Sequence, residues 1–219
     1  MSAYIPNTTA HLSAPYTAST GTQDMTVMCW VFLPAATPAT WRVMVAMEST
    51  GAISLSTSSD GLTIDYGTTA NNYTGSLLAI NTWYHVAMSV RNTSTTNHYI
   101  RGYLNGQLNA TGTDTSTFAA ITSMTLGNYA GGGNVNPLNG NIRDFRFWNR
   151  ALNDKEVMQE FNSLVPFNKA GLLAWSPLDD DLFTDKSGHG YIWTTTGAVA
   201  LQNGGPRCAW PGRGMQFIR

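Results

Sequence analysis

The 219-residue chain carries 13 acidic side chains, and only three of them are glutamates: Glu48, Glu156 and Glu160. Hydrolysis of a glycosidic bond needs two carboxylates about 5–10 Å apart across a groove. Glu156 and Glu160 fall in a stretch with helical spacing, and no strand-like stretch carries a paired acidic motif. Asp60 and Asp65 are near neighbours, but the first reads as a turn residue in SSDG and the second as an exposed strand residue. Gly-x-Ser-x-Gly, His-Glu-x-x-His and Cys-x-x-Cys are all missing from the sequence. No residue is therefore expected to be catalytic, and the chain is not expected to be an enzyme.

Binding chemistry has more candidates. Calcium takes several oxygen ligands, and Asp179, Asp180, Asp181 and Asp185 form an acidic concentration that could hold one with the help of loop carbonyls. The competing reading is a solvated acidic loop. Sugar binding needs aromatic faces for stacking and amides for hydrogen bonding, usually on loops. Trp41, Tyr129, Asn134 and Trp193 are the candidates; Tyr129 and Asn134 flank a run of three glycines, whereas Trp41 and Trp193 also suit a core. The four histidines are scattered, and His85, inside a strand-like stretch, reads as packed rather than as a ligand.

The densest charge lies in GNIRDFRFWNRALNDKEV, in a chain only 11% charged overall. Period-two alternation puts Phe145 and Phe147 on one face of a strand, and Asp144, Arg146 and Trp148 on the other. Arg146 or Arg150 is then placed to pair with Asp144 or with carboxylates of the following helix, or to satisfy carbonyls at the strand end. This cluster is expected to be a structural corner brace.

These residues need a scaffold, and the composition suggests an all-β one. Thr, Ser, Asn and Gly occupy the surface that Lys and Glu usually fill, which suits strands and turns. A net charge of −1 offers no footprint for nucleic acid and no polybasic anchor for a membrane. No membrane-length apolar run and no signal peptide is readable. Cys29 and Cys208 are read as two free thiols, with a single disulfide as the alternative. Four Asn-x-Ser/Thr sequons carry little weight in so Asn- and Thr-rich a chain.

Strands are expected at Met25–Pro34, which is apolar throughout and so buried on both faces, and at RVMVAMES, AISLSTS, SDGLTIDYG, SLLAI, WYHVAMSV, SMTLGNY and NIRDFRFW. Asn105-Gly106 sits between two extended arms and predicts a tight hairpin. One helix is expected near 153–164. Asn153 and Glu156 supply its capping box, and Val157, Phe161 and Leu164 its buried face. The whole predicts a two-sheet antiparallel sandwich.

Three stretches together, NTWYHVAMSV, GYLNGQLNATG and LNGNIRDFRFWNRALNDKEV, resemble the laminin-G-like jelly rolls of the concanavalin A-like lectin/glucanase superfamily. The matching elements are Trp83 to Val86, Tyr103 to Gly106 and Gly140 to Leu152, with Trp30 in the place of the family's Trp-Val strand. The resemblance is strongest over residues 25–163. Residues 171–219, with Asp185, Ser187, Gly188 and Gly190, resemble the segment that usually opens such domains, although His189 stands where Asn is usual. The resemblance thus implies one circularly permuted domain over 1–219 with its ends close together. A truncated second domain is the rival. Glucanases of the superfamily carry a Glu-x-Asp-x-x-Glu strand, which is missing here, and other members bind calcium in loops. The resemblance implies a non-enzymatic structural or attachment module, placed on a bacteriophage virion surface as a decoration protein. Its expected partners are other virion proteins, further copies of itself and glycans. The alternative is a lectin module of a secreted or cell-surface system, with a glycoside hydrolase a distant third.

Overall fold

The computed structural model describes residues 1–6, 9–16, 24–34, 41–48, 52–58, 61–67, 71–94, 96–115, 120–129 and 136–205. The strands of the first half are β1 (Ser2–Ile5), β2 (His11–Pro15), β3 (Met25–Phe32), β4 (Arg42–Glu48), β5 (Ala52–Ser58), β6 (Gly61–Gly67) and β7 (Asn71–Thr74). They are followed by β8 (Trp83–Ser94), β9 (Asn97–Leu104), β10 (Gln107–Asp114), β11 (Ser123–Leu126) and β12 (Gly140–Trp148). Helix α1 (Asp154–Phe161) precedes β13 (Leu172–Ser176), β14 (Thr194–Thr196) and β15 (Ala200–Gln202).

Two antiparallel sheets result. One runs β10-β9-β8-β3-β12-β1-β15, with β13 also paired to β12; the other runs β14-β2-β11-β4-β5-β6-β7. Alternation supplies the core between them. Val27, Cys29 and Val31 of β3, and Val86, Met88 and Val90 of β8, meet Leu12, Val45, Met47, Leu55 and Met124 from the facing sheet. The intervening residues of the first sheet are also buried, because α1 covers that sheet's outer face. Met28, Ala87, Tyr103, Trp148, Leu152, Val157 and Leu172 form this second cluster. A strand apolar on both faces, as β3 is, needs such a double cover.

Helix α1 starts as its sequence requires: Asn153 Oδ1 accepts from the Glu156 N–H, and Glu156 Oε2 accepts from the Asn153 N–H. Its buried residues are Val157 and Glu160. Leu164 lies beyond the helix end and is 59% exposed, so it forms no part of the expected buried face. Nor is SLLAI a strand. Its Leu77 and Ile80 face solvent and only Leu78 is buried, while the preceding Asn71–Thr74 makes the edge strand instead. The hairpin forms as expected, with Asn105 and Gly106 both at positive φ, 50° and 77°.

The decisive local feature is a bulge in β12. The register against β3 slips between Arg143 and Arg146, and Asp144 takes a left-handed φ of 55°. One extra residue there reverses the alternation, so that Ile142, Phe145 and Phe147 all reach the inner core. The bulge thereby aims Asp144 and Arg146 together at the base of the helix.

Candidate ligand cleft

Arg146 is 1% exposed and uses its guanidinium on every side. Its Nε donates to Asp144 Oδ1 (3.0 Å), and Nη2 donates to Asp144 Oδ2 and to the Ser163 carbonyl (both 2.6 Å). Nη1 donates to Glu160 Oε2 at 2.6 Å and to the Glu160 carbonyl at 3.2 Å. Burial alone would lower the Arg146 pKa, but the Asp144 carboxylate, and then that of Glu160, raise it on balance. The cation therefore stays charged inside the fold.

The brace extends outward along the chain. Glu160 Oε1 accepts from the Asn168 N–H at 2.7 Å, and Oε2 from the Phe167 N–H at 3.2 Å. Trp148 Nε1 donates to the Asn168 carbonyl (2.7 Å) and Arg150 Nε to the Ala170 carbonyl (2.8 Å), while Arg150 also pairs with Glu156 at 2.8 Å. The loop between α1 and β13 is thus strapped to buried charge.

On the other side of β13, Asp185 organises a tight turn. Its Oδ1 accepts from the Trp175 and Ser187 N–H groups, each at 3.0 Å. Its Oδ2 accepts from the Ser187 hydroxyl at 2.8 Å and the Tyr191 N–H at 3.2 Å. Gly188 and Gly190, at φ 94° and 74°, supply the left-handed corners. Asp185, Ser187 and His189 are the residue types of a hydrolytic triad, but the His189 Nε2 lies 3.1 Å from the Leu172 carbonyl, and the Ser187 hydroxyl is 2.8 Å from the Leu173 carbonyl. That is turn architecture, without the serine–imidazole bond a nucleophile requires.

Between the strapped loop and this turn lies a cleft of about 350 Å³, lined by Val165, Pro166, Lys169, Leu172, Trp175, Lys186, Ser187 and His189. Trp175 forms one wall, and its indole N–H is held by Asp144 Oδ1 at 2.9 Å. Two of the chain's three lysines line this one cleft. The sequence reading missed it because Trp175 sits in an apolar run that resembles core, and Lys169 and Lys186 stand on opposite sides of that run with no motif linking them. The lysines' rarity was the available signal.

Of the calcium and sugar candidates singled out beforehand, Asp185 and Asp180 touch residues lining the cleft. Asp179 pairs with Arg143 at 3.1 Å, and Asp180 lies 3.4 Å from Lys186. Asp181 Oδ1 accepts from the Phe183 and Thr184 N–H groups at 2.7 and 2.6 Å. Asp185 holds its own turn, whereas the Asp179 and Asp180 side chains lie against each other and Asp181 turns to the N–H groups of its own loop. Among the described residues no group of three His, Cys, Asp or Glu side chains is placed to hold a metal. Trp193 is 1% exposed and stands edge-on to Phe145 in the core, at 5.4 Å between ring centres, so it offers no stacking face and the binding expectation for it is corrected. Trp41 and Tyr129 are half-buried, the Tyr129 N–H donating to Asn128 Oδ1 at 2.8 Å. Asn134, Cys208, Asp60 and the three glycines after Ala130 lie outside the described residues. Trp30 stacks on Phe161 and Trp83 packs against Phe32, so both serve the fold. His85 packs edge-on to Trp30 and tilted against Phe161; burial first, and the Arg146 charge second, push its pKa down to about 3.

A laminin-G-type profile of the concanavalin A-like lectin/glucanases superfamily matches residues 6–158. The chain belongs to this family. Within the superfamily's fold, it is similar to the solved structure of a candidate carbohydrate-binding protein from Bacteroides ovatus, with 18% identity and a TM-score of 0.67. That similarity covers 92% of this chain and 60% of the other, so the chain spans about three-fifths of that protein's length. It is also similar to the native heptameric SAP-like pentraxin of Limulus polyphemus, at 17% identity and a TM-score of 0.59, covering 89% of this chain and 93% of that one. No curated protein sequence matches the chain. Every residue lining the cleft lies after the span that the laminin-G-type profile matches.

Proposed function

We propose that the chain is a non-catalytic recognition module that holds carbohydrate in the cleft between the loop after α1 and the Asp185 turn. The observation that carries this reading is Trp175: a partly exposed indole, fixed in orientation by Asp144, forming the wall of a pocket large enough for one or two sugar rings. A fixed aromatic face stacks on the apolar side of a pyranose without a further ordering cost. The glutamates support the non-enzymatic reading, since Glu160 is buried against Arg146, Glu156 caps α1 and Glu48 is buried in β4. Membership of a lectin-containing superfamily and likeness to a candidate carbohydrate-binding protein agree with it.

The finer reading is a single permuted domain acting as an attachment or decoration component of a bacteriophage particle, as a symmetric homo-oligomer. Pairing of β1 with β15, which brings Ser2 opposite Gln202, supports one domain in which the residues after 171 join the sheet of the N-terminal strand. The weakly charged Thr/Asn-rich surface suits a packed shell, and a heptameric protein shares the fold. No helix among the described residues is long and apolar enough to cross a membrane.

A glycan-array screen of the purified chain, run with calcium and with EDTA, tests the proposal. Binding that survives EDTA and disappears in Trp175→Ala, with the circular dichroism spectrum unchanged, is the expected result. Silence on the array under both conditions, or binding untouched by Trp175→Ala, would overturn it.

A further inference from the structure

The lining of the cleft also points to the charge of its ligand. The inference rests on the carbohydrate reading above and specifies the class of sugar. The hydrogen-bonding groups of the lining are mostly engaged already: the Trp175 indole N–H by Asp144, the Ser187 hydroxyl by Asp185 and the Leu173 carbonyl, and His189 Nε2 by the Leu172 carbonyl. Since a carbonyl accepts, that His189 nitrogen carries the proton, and Nδ1 is the one ring acceptor while the imidazole is neutral. No carboxylate is among the lining residues, and the cations that remain are the Lys169 and Lys186 ammoniums. Lys169 makes no ion pair among the described residues, and the Lys186–Asp180 pair is long, at 3.4 Å, and solvent-exposed. Such an exposed pair is weak and gives way to a better-placed anion.

A ligand of this cleft must therefore bring acceptors and negative charge along with a flat apolar face. We infer that the cleft recognises an acidic sugar, a pyranose bearing a carboxylate, whose ring stacks on Trp175 and whose carboxylate sits between Lys169 and Lys186. Val165 and Pro166 add further apolar lining. A neutral sugar leaves Lys169 without a counter-charge and Lys186 with only its long contact to Asp180, and a bare anion leaves the indole uncovered.

The test is a ¹H–¹⁵N NMR titration of the full chain with methyl glucuronide and methyl glucoside, which differ only at C6, and with inorganic phosphate as a third arm. The expected result is movement of the Trp175, Ser187 and His189 amides, with the glucuronide binding roughly fivefold more tightly than the glucoside. That preference shrinks in K169M and K186M and with added salt. Equal binding of the two sugars, unchanged in K169M, would overturn the charge inference while leaving the carbohydrate reading intact. Phosphate binding as well as the glucuronide would reduce the cleft to an anion site and overturn the sugar class. If neither sugar moves the Trp175 resonances, the inference and the carbohydrate reading fall together.

Discussion

The Trp175 indole N–H donates to Asp144 Oδ1, the same oxygen that accepts from Arg146 Nε. One carboxylate oxygen therefore joins the wall of the cleft to the ion-paired centre beneath α1. The orientation of the recognition surface depends on an element that is itself buried.

Removing the cation tests this centre. Arg146→Met would leave two carboxylates beneath the helix with no compensating charge, and the cost of such a change is about 3–5 kcal/mol. Asp144→Asn keeps an acceptor for the indole and tolerates the left-handed backbone at φ 55°, so it should cost less than half as much. Urea denaturation followed by tryptophan emission measures both, and equal losses for the two variants would contradict the account.

His85 should make stability depend on acid. Its folded pKa, near 3, lies below the ordinary histidine value, so the unfolded chain takes up a proton that the folded chain refuses. Stability is then undiminished above the ordinary value, falls by about 1.4 kcal/mol per pH unit from there towards pH 3, and changes no further below it on this account. His85→Phe, flanked by Trp30 and Phe161, should remove that slope. Parallel stability curves for the two proteins between pH 7 and 4 would refute the assignment.

The hairpin tip sits tightly against α1. A Cβ at Gly106 would come 3.1 Å from Met158 Sδ and Phe161 Cβ, in a backbone already at φ 77°. Gly106→Ala should cost about 1–2 kcal/mol, lowering Tm by roughly 3–6 °C. Asn105→Gly, which loses only the side-chain bond to the His85 N–H at 3.0 Å, should shift Tm less. Differential scanning calorimetry separates them.

Cys29 should be chemically silent while the fold is intact. It is fully buried, and burial, followed by the Asp144 charge, pushes its thiol well above the usual range. In a Cys208→Ser variant, a disulfide-exchange reagent at pH 8 should report no thiol until urea unfolds the chain. Rapid labelling under native conditions would show that the interior opens far more readily than this packing implies.

Local features were legible in the sequence, and long-range ones were not. The double apolar face of β3, the Asn105-Gly106 turn and the Asn153–Glu156 cap each follow from residues within one element. Arg146 was placed beside Asp144 by strand alternation, yet the bulge that brings both their side chains under α1 is not a property of β12 alone. It arises because β12 must match β3 along its length and pair with β1 in its first half and β13 in its second. Glu160, on the helix, could not be assigned to Arg146 without knowing how α1 lies. SLLAI looked like a strand because four of its residues are aliphatic, but among the described residues its backbone bonds to β6 only at Ser76 and it pairs with no strand beyond that. The cleft escaped notice although its whole lining falls within residues 165–189, because only the folding of that stretch on both sides of β13 brings Trp175, Lys169 and Lys186 to one space.

The pairing of β1 sets a timetable for the ribosome. Its neighbours in the sheet are β12, which begins at Gly140, and β15, which begins at Ala200. At about 5–20 residues per second, the first of these emerges on the order of ten seconds after β1 itself. Throughout that interval Ala3 and Ile5, both fully covered in the finished fold, have no strand to lie against. The same delay applies to β2, whose partners β11 and β14 are also distant. The nascent chain thus carries two apolar strands without sheet partners until its second half is made.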